Sequence, residues 1–393
     1  MSIKNTVAIS NKDRILSVLR YQGYDRLPVV HFGFWGETLQ KWAAEGHISV
    51  EEAKNWRDGN PTDATIGEML GFDCNYYSCF HPNAGLYPGF ESKVIKTLPD
   101  GSMHVLNGEG VIVLQMPDAG SIPAEIEHLF KGRKEWEEHY KHRFQFASNR
   151  VLKANVRVND KMIPFDDGGL EFLKSDNRDY VYGLHCGSLF GLIRNFIGVE
   201  NCSYLYVDDE PLFDEIISTI GELSYQTVKA VLETGATFDF AHFWEDICYK
   251  NGPLVTPAVF DEKVGPHYKR ITGLLSKYGI DIVSLDCDGM IDSLIPTWLK
   301  NGVNTMFPIE VGTWNASITP WREKYGKQLR GVGGMNKNVF ALDYVAVDAE
   351  IERLKPLIEL GGYIPCPDHR IAPDAKWDNV RYYCDKMREK VPK

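Results

Sequence analysis

The chain has 393 residues, 44% of them hydrophobic, enough to bury one large core or two modest ones. Its formal net charge of -11 and pI near 5.5, with no Lys/Arg-rich run, exclude an electrostatic nucleic-acid binder, because nothing clusters to neutralise phosphates. The eight cysteines, at 74, 79, 186, 202, 248, 287, 366 and 384, form no CxxC pair and read as reduced thiols. The opening MSIKNTVAISNKDRILSVLR has no apolar signal core and no stretch of about 18 uncharged apolar residues occurs, so a cytoplasmic protein with no membrane span is expected.

In chain order, residues 11–21 read as a helix with a cap-like Asn11 and Ile15, Leu16, Val18 and Leu19 at near-helical spacing. RLPVVHFGF then reads as a buried strand. ESKVIKTLPDGSMHVLNGEGVIVLQM carries two turn signals, PDG and NGEG, between β-rich runs, which predicts an antiparallel ribbon. KEWEEHYKHRFQFAS returns to helix. Near residue 175 the character changes.

From Asp179 onward short apolar strands alternate with long amphipathic helices. The strands are YVYGLHCG, ATFDFAHF, DIVSLDCDG, NTMFPIEV, LRGVGGM and GGYIPC; EPLFDEIISTIGELSYQTVKAVLETG and PAVFDEKVGPHYKRITGLLSKYG are helices between them. Strand followed by helix, repeated, means a parallel sheet. With RLPVVHF and one further strand near GFDCNYY, the count suits an α/β (β/α)8 TIM barrel with an N-terminal helical and β-hairpin elaboration in 1–175, all within a single domain 1–393. A doubly wound sheet is the alternative. The barrel is preferred because polar residues gather at strand C-termini: His185, Cys186, His242, Glu245, Asp246, Asp286 to Asp288, Glu310, Asn336, Asp368 and His369. In a barrel those ends form one mouth, where active sites sit.

Several stretches also carry a family resemblance: Gly191 to Gly198 (GLIRNFIG), Leu205 to Asp214, GPLVTPAVFDEKVGPHYKRI from Gly252, LIPTWLKNGVNTMFPIEV from Leu294, and LRGVGGMNK leading into GGYIPCPDHRIAPD. Together they resemble the uroporphyrinogen decarboxylase superfamily in its broad sense, which includes corrinoid-dependent methyltransferases. The resemblance spans most of 180–393 and, more loosely, the opening helix with YDRLPV. The true decarboxylases are similar to one another in an Arg-Gln-Ala-Gly-Arg stretch that grips tetrapyrrole carboxylates; here that place reads HFGFWGETL, without arginine. Arg suits that grip because its planar fork binds a carboxylate through two hydrogen bonds. The aromatic FGFW suits a flatter, less charged ligand, so the chain is closer to the methyltransferase branch.

That branch resembles itself in a His-x-Cys at one strand end and a Cys on the last loop, which hold zinc. By position these fall on Asp286-Cys287-Asp288 and on His369. The resemblance therefore implies a zinc site of Asp286, Asp288 and His369, completed by Glu245 or Cys287, since zinc accepts carboxylate and imidazole as well as thiolate. It implies His369 and Glu245 as catalytic groups and a substrate pocket drawn from Trp35, His185, His242, Asp246, Tyr249, Glu310 and Arg370. The activity implied is transfer of a methyl group from a small, methoxylated substrate to a corrinoid; no DxHxxG stretch occurs, so the corrinoid arrives on a partner protein. That partner would meet Trp35, Trp244, Tyr249 or Trp314; a homodimer is a further expected partner arrangement.

Blander readings stand beside these. Asp286 and Asp288 serve equally well as helix caps, Cys287 as a small buried apolar residue, and His185 and His242 as imidazoles satisfying backbone groups. The role of Cys366 is open. GVGGM lacks GxGxxG spacing, and neither a Walker loop nor a GxSxG elbow occurs, so nucleotide and serine-hydrolase chemistry have no support. A carboxy-lyase of the uroporphyrinogen decarboxylase type and a non-catalytic binder on the same barrel are the alternatives.

Overall fold

The computed structural model describes residues 9–116, 123–175 and 177–390. A seven-stranded parallel sheet runs in the spatial order Tyr363–Pro367, Arg330–Met335, Thr305–Phe307, Val283–Asp286, Phe240–Trp244, Gly183–His185 and Cys79–Phe80. Val30–His31 pairs in parallel with Cys74–Asn75, just ahead of Cys79–Phe80. On its other side the chain is tied to the last strand's extension: Ile371 N–H donates to Gly33 O at 3.0 Å and Trp35 N–H to Ile371 O at 3.1 Å. The sheet thus closes on itself as a (β/α)8 barrel in which residues 74–80 form one interrupted stave.

The strands are short because each is buried on both faces, and they run only two to six residues. The helix Glu210–Leu232 shows how the outer layer is specified. Asp209 caps it by accepting from Leu212 N–H, Pro211 occupies its first turn, and Leu212, Phe213, Ile216, Ile217, Ile220, Leu223 and Val231 repeat at three- and four-residue spacing on the buried side.

The first 175 residues supply the elaboration. Four antiparallel strands, Lys93–Thr97, Met103–Leu106, Val111–Gln115 and Ala124–His128, follow one another in sheet order. The PDG and NGEG turns lie where expected, with Gly101 and Gly110 at φ 84° and 82°. The fourth of these strands and the hairpin of Asn155–Val158 with Lys161–Pro164 have no counterpart in the sequence reading. Two details differ from expectation. The first helix is capped by Ser10, which accepts from Asp13 N–H, and Asn11 is its first residue. The segment around KEWEEHYKHRF is a wide π turn over Trp136–Tyr140 followed by a tight 3-10 turn over Lys141–Phe144. All eight cysteines are free thiols. No helix of the described residues is long and apolar enough to cross a membrane.

Candidate active site at the barrel mouth

The mouth is organised around His369. Its two chain neighbours are both anchored. Asp368 accepts from the N–H groups of Val311 at 3.0 Å, Gly312 at 2.7 Å and Lys337 at 3.1 Å, and Arg370 donates a two-pronged pair of bonds to Asp58 at 3.1 and 2.6 Å. A planar guanidinium facing a carboxylate in this way fixes direction as well as charge. The imidazole between them stacks on Trp35 with ring centres 5.4 Å apart and meets Phe32 edge-on at 5.5 Å. Its Nε2 reaches Asp288 Oδ2 at 3.3 Å.

Asp288 is delivered by the strand Val283–Asp286 and a tight turn at Gly289. There φ is 84°, and a Cβ would lie 2.5 Å from the carbonyl oxygen of Cys248, so only glycine fits. Gly289 N–H donates to Glu310 at 2.5 Å, which joins that carboxylate to the same turn. Asp288 Oδ1 is buried and has no hydrogen-bond partner among the described residues.

Four carboxylates therefore share one small region. Burial pushes Asp286 well above the usual carboxylate range, and the charges of Asp288 and Asp246 push it further. Burial also raises Asp246, against the pull of Arg194, and raises Glu310, with Asp288 adding to the effect. Like charges at close range disfavour one another's ionisation, and burial acts in the same direction on Asp286, Asp246 and Glu310. Asp246 has a backbone φ of 47°, a left-handed conformation that Asp tolerates better than most residues, and it pairs with Arg194 at 3.0 Å.

Below the acids lies an aromatic floor. Phe32 meets Phe307 at 4.6 Å and Tyr77 at 5.8 Å, and Tyr77 meets His242 at 5.0 Å. His242 is fully buried, with neither ring nitrogen hydrogen-bonded among the described residues, and burial pulls it down to about 3. It is a neutral imidazole with unused hydrogen-bonding capacity. His185 stacks on His81 at 4.5 Å and uses Nδ1 to accept from Gly187 N–H at 3.2 Å.

Of the residues singled out in the sequence, Trp35, Asp246, Asp286, Asp288, Glu310 and His369 are thus brought together, with His185 and His242 beside the floor. Arg370 lies at the same place but is engaged by Asp58. Glu245 does not face the group. Its carboxylate accepts from Leu189 N–H at 3.1 Å, Gly191 N–H at 2.5 Å and the Tyr268 hydroxyl, so it serves the start of the helix Phe190–Ile197. A helix start presents unpaired N–H groups, and these outcompete the mouth for the side chain. Tyr249 is 52% exposed on a short antiparallel pair, and no hydrogen bond or ring contact joins it to the acids among the described residues.

Neither aspartate caps a helix; the next one, Ile295–Lys300, begins after Leu294 with no side-chain cap. Cys287 is buried and accepts from Ile247 N–H at 3.4 Å, and Cys366 is buried in its strand.

The zinc set expected from the resemblance is Asp286, Asp288 and His369, of which Asp288 and His369 meet at 3.3 Å. Among the described residues no group of three or more His, Cys, Asp and Glu side chains converges closely enough to hold a metal ion. His369 presents Nε2 to Asp288 Oδ2, and Asp286 sits at the buried strand end. The sequence reading also missed Asp58, Tyr77, His81 and Arg194. Tyr77 and Arg194 lay in stretches it quoted, GFDCNYY and GLIRNFIG, but nothing there announced a contact with the mouth.

No protein-family model matches the chain, and no curated protein sequence matches it. Among solved structures it is similar to a methyltransferase from Methanosarcina mazei, with a TM-score of 0.60 at 15% identity over 97% of this chain and 99% of that one. A B12-independent methionine synthase from Shewanella sp. W3-18-1 also overlaps, at 10% identity over 93% and 99% of the two chains, with a TM-score of 0.48. The class defined by fold and mouth is a (β/α)8 barrel built over nearly its whole length like the Methanosarcina protein. This is the fold that the resemblance to the uroporphyrinogen decarboxylase superfamily implied.

Proposed function

We propose that the chain is an enzyme of methyl transfer, removing a methyl group from an oxygen of a small, flat, methoxylated substrate. The observation that carries this reading is the Asp288–His369 pair standing beside a buried carboxyl pushed well above the usual carboxylate range, Asp286, at the floor of Phe32, Tyr77 and Phe307. An alkoxide or phenoxide is a poor leaving group unless its oxygen is protonated as the carbon departs. Asp286 is the proton source: the methyl–oxygen bond breaks, its electron pair stays on oxygen, and the carboxyl proton moves there. His369, 20% exposed on its side chain, takes a proton from solvent and restores it through the carboxylates, with Asp288 orienting the imidazole.

A corrinoid on a partner protein would supply the nucleophile that accepts the methyl group. The aromatic floor and Trp35 suit an apolar ring, and four carboxylates disfavour a polyanionic substrate.

The test is incubation of the purified protein with methoxylated aromatics and a reduced corrinoid carrier, following the demethylated product. Product formed by the parent and lost in His369→Ala supports the reading. Unchanged turnover in that variant overturns the role of the pair, and absence of product with every methoxylated compound overturns methyl transfer. Stoichiometric zinc in protein purified without chelator would replace the carboxyl proton with a Lewis acid as the activating device.

A further inference from the structure

A second polar cavity, of about 390 Å³, lies outside the mouth, walled by residues of the Pro61–Leu70 helix, the Cys74–Asn75 strand, the Asn155–Val158 strand and the final helix Trp377–Lys390. Arg157 reaches into it. Its residue is 7% exposed, and among the described residues its Nε is buried without a hydrogen-bond partner and its side chain makes one hydrogen bond, a long 3.4 Å contact to Gly59 O. The guanidinium lies on the Tyr180 ring at 3.8 Å, and among the described residues no carboxylate lies within ion-pair distance of it. A guanidinium cannot shed its proton to escape burial, so a buried one without a counter-ion is costly.

The acids of the wall are otherwise engaged. Asp73 is held by Arg26 at 2.7 Å and by Arg388 at 3.1 Å. Asp63 accepts from Trp56, Gly59 and Asn75, and burial pushes it up to about 7. Asp179 and Glu68 stand exposed at the rim. A second donor faces the cavity from His31. Its Nδ1 accepts from Gly33 N–H at 3.0 Å, and burial pulls it down to about 3, so the ring is neutral with its proton on Nε2.

We propose that this cavity is a binding site for a small oxyanion, a carboxylate or a phosphate, with Arg157 as its principal anchor and His31 Nε2–H as a second donor. The bound anion supplies the charge that the fold withholds from Arg157. The site is separate from the methyl-transfer reading and stands or falls without it.

Titration calorimetry at fixed ionic strength, with inorganic phosphate in one arm and succinate in the other, tests this and separates the two anions. Saturable binding of at least one of them, one per chain and with Kd of about 1 mM or tighter, is expected, falling by about tenfold or more in Arg157→Gln. Ala64→Trp, which blocks the exposed rim without touching Arg157, should abolish the same binding and serves where Arg157→Gln does not fold. His369→Ala should leave it unchanged, which places it away from the mouth. The proposal is overturned when neither anion saturates, when Arg157→Gln and Ala64→Trp bind as the parent does, or when His369→Ala removes the binding.

Discussion

His369 and Asp288 meet at 3.3 Å although they arrive from different strands, the imidazole on the loop after Tyr363–Pro367 and the carboxylate on the loop after Val283–Asp286. Neither position is adjustable: one is clamped by Asp368 and Arg370, the other by the turn at Gly289. Such fixation is what a proton-relay pair needs, because a transfer step is sensitive to displacements well below 1 Å. His369→Ala and Asp288→Asn should each lower turnover by about 100-fold or more, and the double variant should lose little beyond the larger single loss. Additive losses in product-formation rates would show that the two act independently.

Trp35 makes a different kind of contribution. It packs flat against His369, with ring planes 18° apart, and is half-buried, so part of its surface faces the mouth. Trp35→Ala should raise KM by about tenfold through loss of aromatic contact, with a smaller effect on kcat. A fall in kcat with KM unchanged would assign Trp35 to orienting the imidazole alone.

The parts of this arrangement that were legible in sequence share a cause. Parallel strands buried on both faces read as short apolar runs, so the strand–helix rhythm and the polar residues closing each run could be seen without coordinates. Asp288 and His369 were found in this way. Glu245 ends a strand just as they do, yet its side chain turns to the helix start at Gly191; strand-end position does not report which way a residue faces. Asp58 was missed because its function comes from Arg370, far along the chain, and a contact between distant loops leaves no local pattern. The zinc expectation rested on ligand type, which is written in sequence, whereas convergence is not.

The Asp58–Arg370 pair is half-buried on both sides, with side chains 20% and 22% exposed. Asp58→Ala leaves the guanidinium without its partner and should destabilise the fold by about 2–4 kcal/mol in urea unfolding. Arg370→Lys keeps the charge but not the fork, so it should retain most stability while reducing turnover through a loosened His369 loop. Equal urea midpoints for parent and Asp58→Ala would show that the pair holds nothing in place.

Burial pushes Glu245 from 4.5 up to about 7 in the folded chain. Between those values the native state holds a proton that the unfolded state has lost, so this group's contribution to stability falls as pH rises through the window, at about 1.4 kcal/mol per pH unit. His31 and His242, each pulled down from 6.5 to about 3, contribute slopes of the opposite sign below about pH 6.5. The difference between Glu245→Gln and the parent is therefore the quantity to read. Relative to the parent, the variant should gain stability as pH rises from about 4.5 to 7 and change no further above that range. A pH-independent difference in unfolding free energy would mean that Glu245 is ionised throughout.

The last expectation concerns the decarboxylase alternative. A tetrapyrrole bearing many carboxylates needs several free cations at the mouth, and HFGFWGETL places none there. The two arginines near the site are engaged, Arg370 by Asp58 and Arg194 by Asp246, and Asp286, Asp288, Asp246 and Glu310 stand where such a substrate would bring more negative charge. Binding a polyanion would protonate those acids further or expel the ligand, and either costs affinity. Incubation with uroporphyrinogen should accordingly yield no coproporphyrinogen at enzymatic turnover, whereas product at about 1 per second or faster would displace methyl transfer as the reading of this mouth.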